Sequence, residues 1–114
     1  MIEKTVLTYL MNHLNVPCYM EEPDKKDKSY VLVEKTGSSR DNHLNRATIA
    51  LQSYGRTMSE AAKLNELIKH NMDGIVVLDE ISGSHLNSDY NFTDTETDRY
   101  RYQAVYDVLF YEED

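Results

Sequence analysis

The chain has 114 residues, of which 12 are Lys or Arg and 20 are Asp or Glu, for a net charge of −8. That length fits one domain, 1–114, and hardly two. A hydrophobic share of 40% suffices for a core and argues against wholesale disorder. No apolar run approaches the roughly 20 residues of a membrane span, so no membrane role is expected.

The N-terminus, Met1-Ile2-Glu3-Lys4-Thr5, has no basic region followed by an apolar one, and no secretory signal is read there. Residues 2–14 carry apolar side chains at Ile2, Val6, Leu7, Leu10, Met11 and Leu14, the spacing of one helical face. Pro17 ends that helix. Val16–Met20 suits a short strand, and residues 21–28 are a polar turn containing Pro23. Tyr30–Lys35 is a strand of β-branched and aromatic residues. Thr36–Asn42 has loop composition, and His43–Tyr54 returns to strand alternation. The pair predicts a hairpin with a protruding tip of about eight residues.

Gly55 breaks the strand. Thr57 and Glu60 stand in the spacing of a capping box, opening a second helix that runs to about Asn71 and ends at Gly74. Ile75–Leu78 reads as a short buried strand. Residues 79–98 are polar and acidic, with one short strand possible near Leu86–Phe92. Arg99–Tyr111 alternates over its whole length. Tyr100, Tyr102 and Tyr106 share one face, either as core wall or as an interface for another protein. The order α-β-β-β-α-β-(β)-β predicts an α+β fold, a mainly antiparallel sheet of about four to six strands with two helices.

Charge is uneven along the chain. Residues 1–57 sum to about +1 and residues 58–114 to −9. An acidic half lacks the basic stripe of a general phosphate-backbone binder. Arg40, Arg46, Arg56, Lys25, Lys26 and Lys28, with Tyr54 as a stacking platform, are the residues a nucleic-acid module would use. Asp24, Asp27 and Asp41 dilute those clusters, so a solvated face is the simpler reading.

Catalytic patterns are weak. Lys35-Thr36-Gly37 matches one box of the penicillin-binding fold, but the companion boxes are missing. The acidic stretch Asp94–Asp98 lacks the glycine and the glutamate of a calcium loop. His13, His43, His70 and His85 form no helical metal-binding pair. The single Cys18 suits packing better than nucleophilic attack, and it agrees with a reducing compartment. No catalytic residue, metal or cofactor is expected.

Two segments carry a family resemblance. They are Val33-Glu34-Lys35-Thr36-Gly37 through Arg46–Gly55, and Leu86–Asp94 through Tyr100–Asp107. Together they resemble the small tail-completion proteins of long-tailed, non-contractile phages and prophages, also described as tail-terminator or head–tail joining proteins. The two helices fit the same layout. The resemblance implies a non-enzymatic structural protein of the virion, assembled in the host cytoplasm. It implies self-association into a ring, typically a hexamer and possible as a monomer before assembly. It further implies contacts to a tail tube protein and a head connector or neck protein, with DNA passing through unbound. Under it Gly37, Ser38, Ser39, Arg40, Asp41, Asn42, His43 and Arg46 become the candidate ring or docking contacts. Another neck component, such as a head-completion or adaptor protein, is the alternative. A small nucleic-acid-binding regulatory module is the more distant one.

Overall fold

The computed structural model describes residues 1–24 and 29–111. Lys25, Lys26 and Lys28 of the polar turn therefore lie outside the described residues. The chain is α+β, as its patterning predicts. Its elements are α1 (Ile2–His13), β1 (Cys18–Tyr19), β2 (Tyr30–Asp41), β3 (Leu44–Gly55) and α2 (Met58–Asp73), then a 3-10 turn (Ile75–Val77), β4 (Ile81–Asn91) and β5 (Tyr100–Phe110).

One five-stranded sheet runs in the order β1-β2-β3-β5-β4. The β1–β2 pair is parallel; the β2–β3, β3–β5 and β4–β5 pairs are antiparallel. Alternation splits the sheet into two unlike faces. Val31 and Val33 on β2, Ala47, Ile49 and Leu51 on β3, and Ala104, Tyr106 and Val108 on β5 are all buried on one face. They form a single core with Ile2, Val6 and Leu10 of α1 and Leu64, Ile68 and Met72 of α2. Both helices therefore cover the same face. The i, i+4, i+8 stripe of α1 supplies its buried side, and Met11, expected on that stripe, is 54% exposed.

Helix α2 starts where the capping signal places it. Glu60 N–H donates to Thr57 Oγ1 at 3.1 Å. The Glu60 carboxylate reaches one residue further back than the usual box, accepting the Arg56 N–H at 3.0 Å. Gly74 does end the helix, but with φ −92°, so no left-handed cap forms. The right-handed conformation lets the chain tighten directly into the 3-10 turn. This corrects the strand expected at Ile75–Leu78: Val77 N–H bonds back to Gly74 O and Leu78 N–H to Ile75 O. Ile75 is buried, whereas Val77 is 72% exposed.

Two further expectations change. The loop expected at Thr36–Asn42 is strand up to Asp41, and the tip is the two-residue turn Asn42-His43. Both turn residues have positive φ, 49° and 72°, the geometry that matches strand twist in tight hairpins. Thr36 is absorbed as a bulge between Lys35 and Gly37. The polar residues tolerate this because they stand on an exposed edge, where pairing to β3 rather than burial holds them. Likewise the short strand expected near Leu86–Phe92 is the 11-residue β4, starting at Ile81. Its Ser, Asn and Gly residues are poor strand formers, but β5 imposes pairing along its whole length, with bulges at Ser82 and Asn87.

Candidate interaction surfaces

The eight interface candidates lie together at one end of the sheet. Gly37 to Asp41 and Arg46 belong to the β2–β3 ribbon, Asn42 and His43 make its turn, and all are exposed. Register separates them by face. Ser38 and Arg40 pair with Ala47 and Asn45, which places them on the helix-covered side. Ser39 and Arg46 form the next pair and stand on the open side. Arg40 Nε donates to Asn45 Oδ1 at 2.9 Å. Lys35 faces α1, with Nζ 3.8 Å from Glu3 Oε2. Lys35-Thr36-Gly37 is thus a strand with a bulge, and its lysine serves a helix contact.

The open face holds what the sequence reading missed. Tyr30 and Tyr54 stack with centroids 4.4 Å apart and planes at 9°. The Arg99 guanidinium lies 4.7 Å from the Tyr54 centroid. Arg99 also donates to Glu22 and to the Tyr30 hydroxyl, and that hydroxyl donates to Glu22 Oε1 at 2.7 Å. Arg101 Nη1 donates to Tyr54 Oη at 2.8 Å, and its guanidinium covers Phe92 at 4.3 Å. Further along, Gln52 Nε2 donates to Gln103 Oε1 at 2.9 Å, and Gln103 donates to the Tyr90 hydroxyl. Thr48 Oγ1 and Asn87 Nδ2 both donate to Asp107. Alternation places all these strand side chains on one face. That they bond to each other depends on register, which one sequence does not display.

This network closes the nucleic-acid arrangement considered above. Tyr54 is 4% exposed, stacked on Tyr30 with the Arg99 and Arg101 guanidinium groups beside it, so it offers no ring face for a base. Arg40 and Arg46 stand on opposite faces. Arg56 lies at the far end of β3, bidentate on Glu60 through Nη2 at 2.8 Å and Nε at 3.2 Å. The structure does not bring the three arginines onto one face.

The Tyr ladder resolves in part. Tyr106 is fully buried; its hydroxyl donates to Asp73 Oδ1 at 3.0 Å, and Lys69 O lies 3.2 Å from the same oxygen. Burial first, then the bond to Asp73, pushes that hydroxyl above the ordinary tyrosine range. Tyr100 and Tyr102 are half-buried. A second polar contact fastens α2 to β4: Lys69 Nζ lies 2.5 Å from Asp89 Oδ2, and Asn65 Nδ2 donates to Asp89 Oδ1 at 2.6 Å.

The remaining candidates take structural places. Asp94 shapes the β4–β5 turn: Oδ1 accepts Glu96 N–H and Oδ2 accepts Thr97 Oγ1–H. These bonds hold its carboxyl below the usual range, the Thr97 bond foremost. Cys18 is buried, and burial pushes its thiol up to about 11, which disfavours the reactive thiolate. His13 Nδ1 contacts Tyr9 O at 2.7 Å at the end of α1. No protein-family model matches this chain, and comparison with curated proteins finds no match.

Proposed function

We propose that this chain is a non-enzymatic structural protein of a long-tailed phage or prophage virion, which ends the tail tube and joins it to the head connector as an oligomeric ring. The observation that carries the reading is the resemblance of two segments, Val33–Gly55 and Leu86–Asp107. In the fold these are the two hairpins, β2–β3 and β4–β5, joined side by side through β3 and β5. The resembling residues therefore make one continuous surface rather than scattered pieces.

Charge supports the same reading. Residues 58–114 carry −9, and an acidic half repels a passing nucleic acid, as a conduit requires. The β2–β3 tip, with Arg40, Asp41, Asn42, His43 and Arg46 exposed, supplies ring or docking contacts. The test is electron microscopy of the purified chain mixed with tail tubes lacking their cap. Ring density is expected at one tube end, and bare ends overturn the reading. Duplex DNA in a fluorescence-anisotropy titration should bind only weakly; tight, salt-dependent binding would favour the nucleic-acid module instead.

A further inference from the structure

We propose that copies of this chain join edge to edge, the outer edge of β2 in one copy pairing as an antiparallel strand with the outer edge of β4 in the next. The proposal deepens the ring reading and rests on it for closure.

The sheet ends in two unlike edges. β1 covers β2 only at Val31 and Leu32. From Glu34 on, no strand lies outside β2 among the described residues, and Glu34 to Asp41 are all exposed. At the other end of the sheet β4 is outermost along its whole length. Open edges of this kind carry unsatisfied backbone donors and acceptors, a ready template for another strand.

The outward N–H groups can be assigned. Val31 N–H donates outward to Pro17 O at 3.0 Å. Alternation, reset by the Thr36 bulge, turns the Lys35 and Ser38 N–H groups outward too. On β4, Phe92 N–H donates inward to Arg101 O at 2.9 Å. Counting back through the Asn87 bulge, the N–H groups of Asn91, Asp89 and Leu86 point out. The bulges leave short straight runs: Gly37–Asp41 on β2, and Gly83–Leu86 and Ser88–Asn91 on β4. Such runs permit one defined register and resist indiscriminate pairing.

Polarity and charge name the occupant. β2 and β5 run one way, β3 and β4 the other. A second copy set alongside in the same orientation thus presents β4 antiparallel to β2. The sheet order also sorts the chain by charge. α1 and β1 to β3 come from residues 1–57, near neutral, whereas α2, β4 and β5 come from residues 58–114, at −9. Pairing β4 with β4 would press two acidic halves together; pairing β2 with β4 avoids that repulsion. Association is then head-to-tail, and a closed ring leaves no edge open.

Complementation tests the idea. Ser38→Pro removes an outward N–H from β2 and Leu86→Pro one from β4, neither taking a hydrogen bond from the sheet itself. Circular dichroism and thermal melts check that each variant folds; Ser38→Lys or Leu86→Lys replaces one that does not. In sedimentation velocity the wild type should grow in mass with concentration, and each variant alone should stay monomeric. An equal mixture keeps one good edge of each kind, so it should form a two-chain complex and stop there. A wild type that stays monomeric at its highest soluble concentration overturns the proposal. So does a variant that assembles like the wild type, or a Leu86→Pro chain that still dimerises. Bare tube ends with this assembly pattern would sink the tail reading alone. Tubes capped equally well by Ser38→Pro would sink the edge pairing alone.

Discussion

Gly55 stands where β3 hands over to α2, and replacing it with Ala sets two effects against each other. Removing a glycine lowers the entropy of the unfolded chain, worth about 0.4–1 kcal/mol in favour of folding. Gly55 is outside the left-handed region, so its dihedrals would tolerate Ala. Space would not. The new Cβ would lie 2.5 Å from Ala61 N and 2.9 Å from Glu60 Cβ. The nearest atom is backbone in the first turn of α2, and it cannot rotate away. Overpacking of this kind costs about 1–3 kcal/mol. Pushing the turn aside also strains the bonds from Ala61 N–H to Thr57 O and from Glu60 N–H to Thr57 Oγ1, a cap worth about 1 kcal/mol.

Sterics win, and Gly55→Ala should destabilise the chain by about 1–3 kcal/mol. At about 4 °C per kcal/mol for a chain of 114 residues, Tm falls by roughly 4–12 °C. Urea unfolding followed by circular dichroism and tyrosine fluorescence should show a lower midpoint with an unchanged slope. Thr57→Ala loosens the same helix start, so the double variant should lose less than the sum of the singles. A Gly55→Ala chain as stable as the parent would refute the close packing of α2 on the end of β3.

Other variants test the two sheet faces, the hairpin tip and the buried titrating groups. Leu51→Ala or Ile68→Ala, both fully buried on the helix side, should cost about 2–5 kcal/mol in denaturant titrations. Val105→Ala on the open face should cost no more than about 1 kcal/mol; equal losses would mean that the core is assigned to the wrong face. His43 holds φ 72° in the hairpin turn, so His43→Gly should stabilise the chain by about 0.5–1 kcal/mol in the same assay. Burial raises the Cys18 thiol from 9.0 to about 11. Burial first, with a bond to Glu22, raises the Tyr30 hydroxyl as well. The folded chain holds these protons more tightly than the unfolded one. The Cys18 contribution is complete below pH about 9 and is lost as pH rises through about 11, and that of Tyr30 is lost only at higher pH. The denaturant midpoint followed by circular dichroism should therefore fall as pH rises above about 9, and a midpoint flat across that range would count against buried, protonated groups.

Patterns of period 3.6 and 2 placed both helices, the strands Tyr30–Lys35 and Arg99–Tyr111, and the capping signal at Thr57 and Glu60, because burial on one face leaves a local trace in composition. Pairing leaves no such trace. Thr36–Asp41 and Ile81–Asn91 are rich in Ser, Gly and Asn and became long strands only because β3 and β5 supply partners to their backbones. Ile75–Leu78 was apolar enough for a strand, but Gly74 in right-handed conformation carried the helix on into a 3-10 turn.

The interface candidates were legible as one loop-like cluster. Their division between two faces was not, since it follows from a bulge and a two-residue turn. The Tyr30–Tyr54–Arg99 stack joins residues up to 69 positions apart, beyond the reach of any local pattern. Charge follows a division of the same kind. Sequence alone determined that one half is near neutral and the other carries −9. Only the strand order β1-β2-β3-β5-β4 decided that these halves occupy opposite sides of one sheet. It did so because β3 pairs with β5, leaving β4 and the distal part of β2 as the two edges.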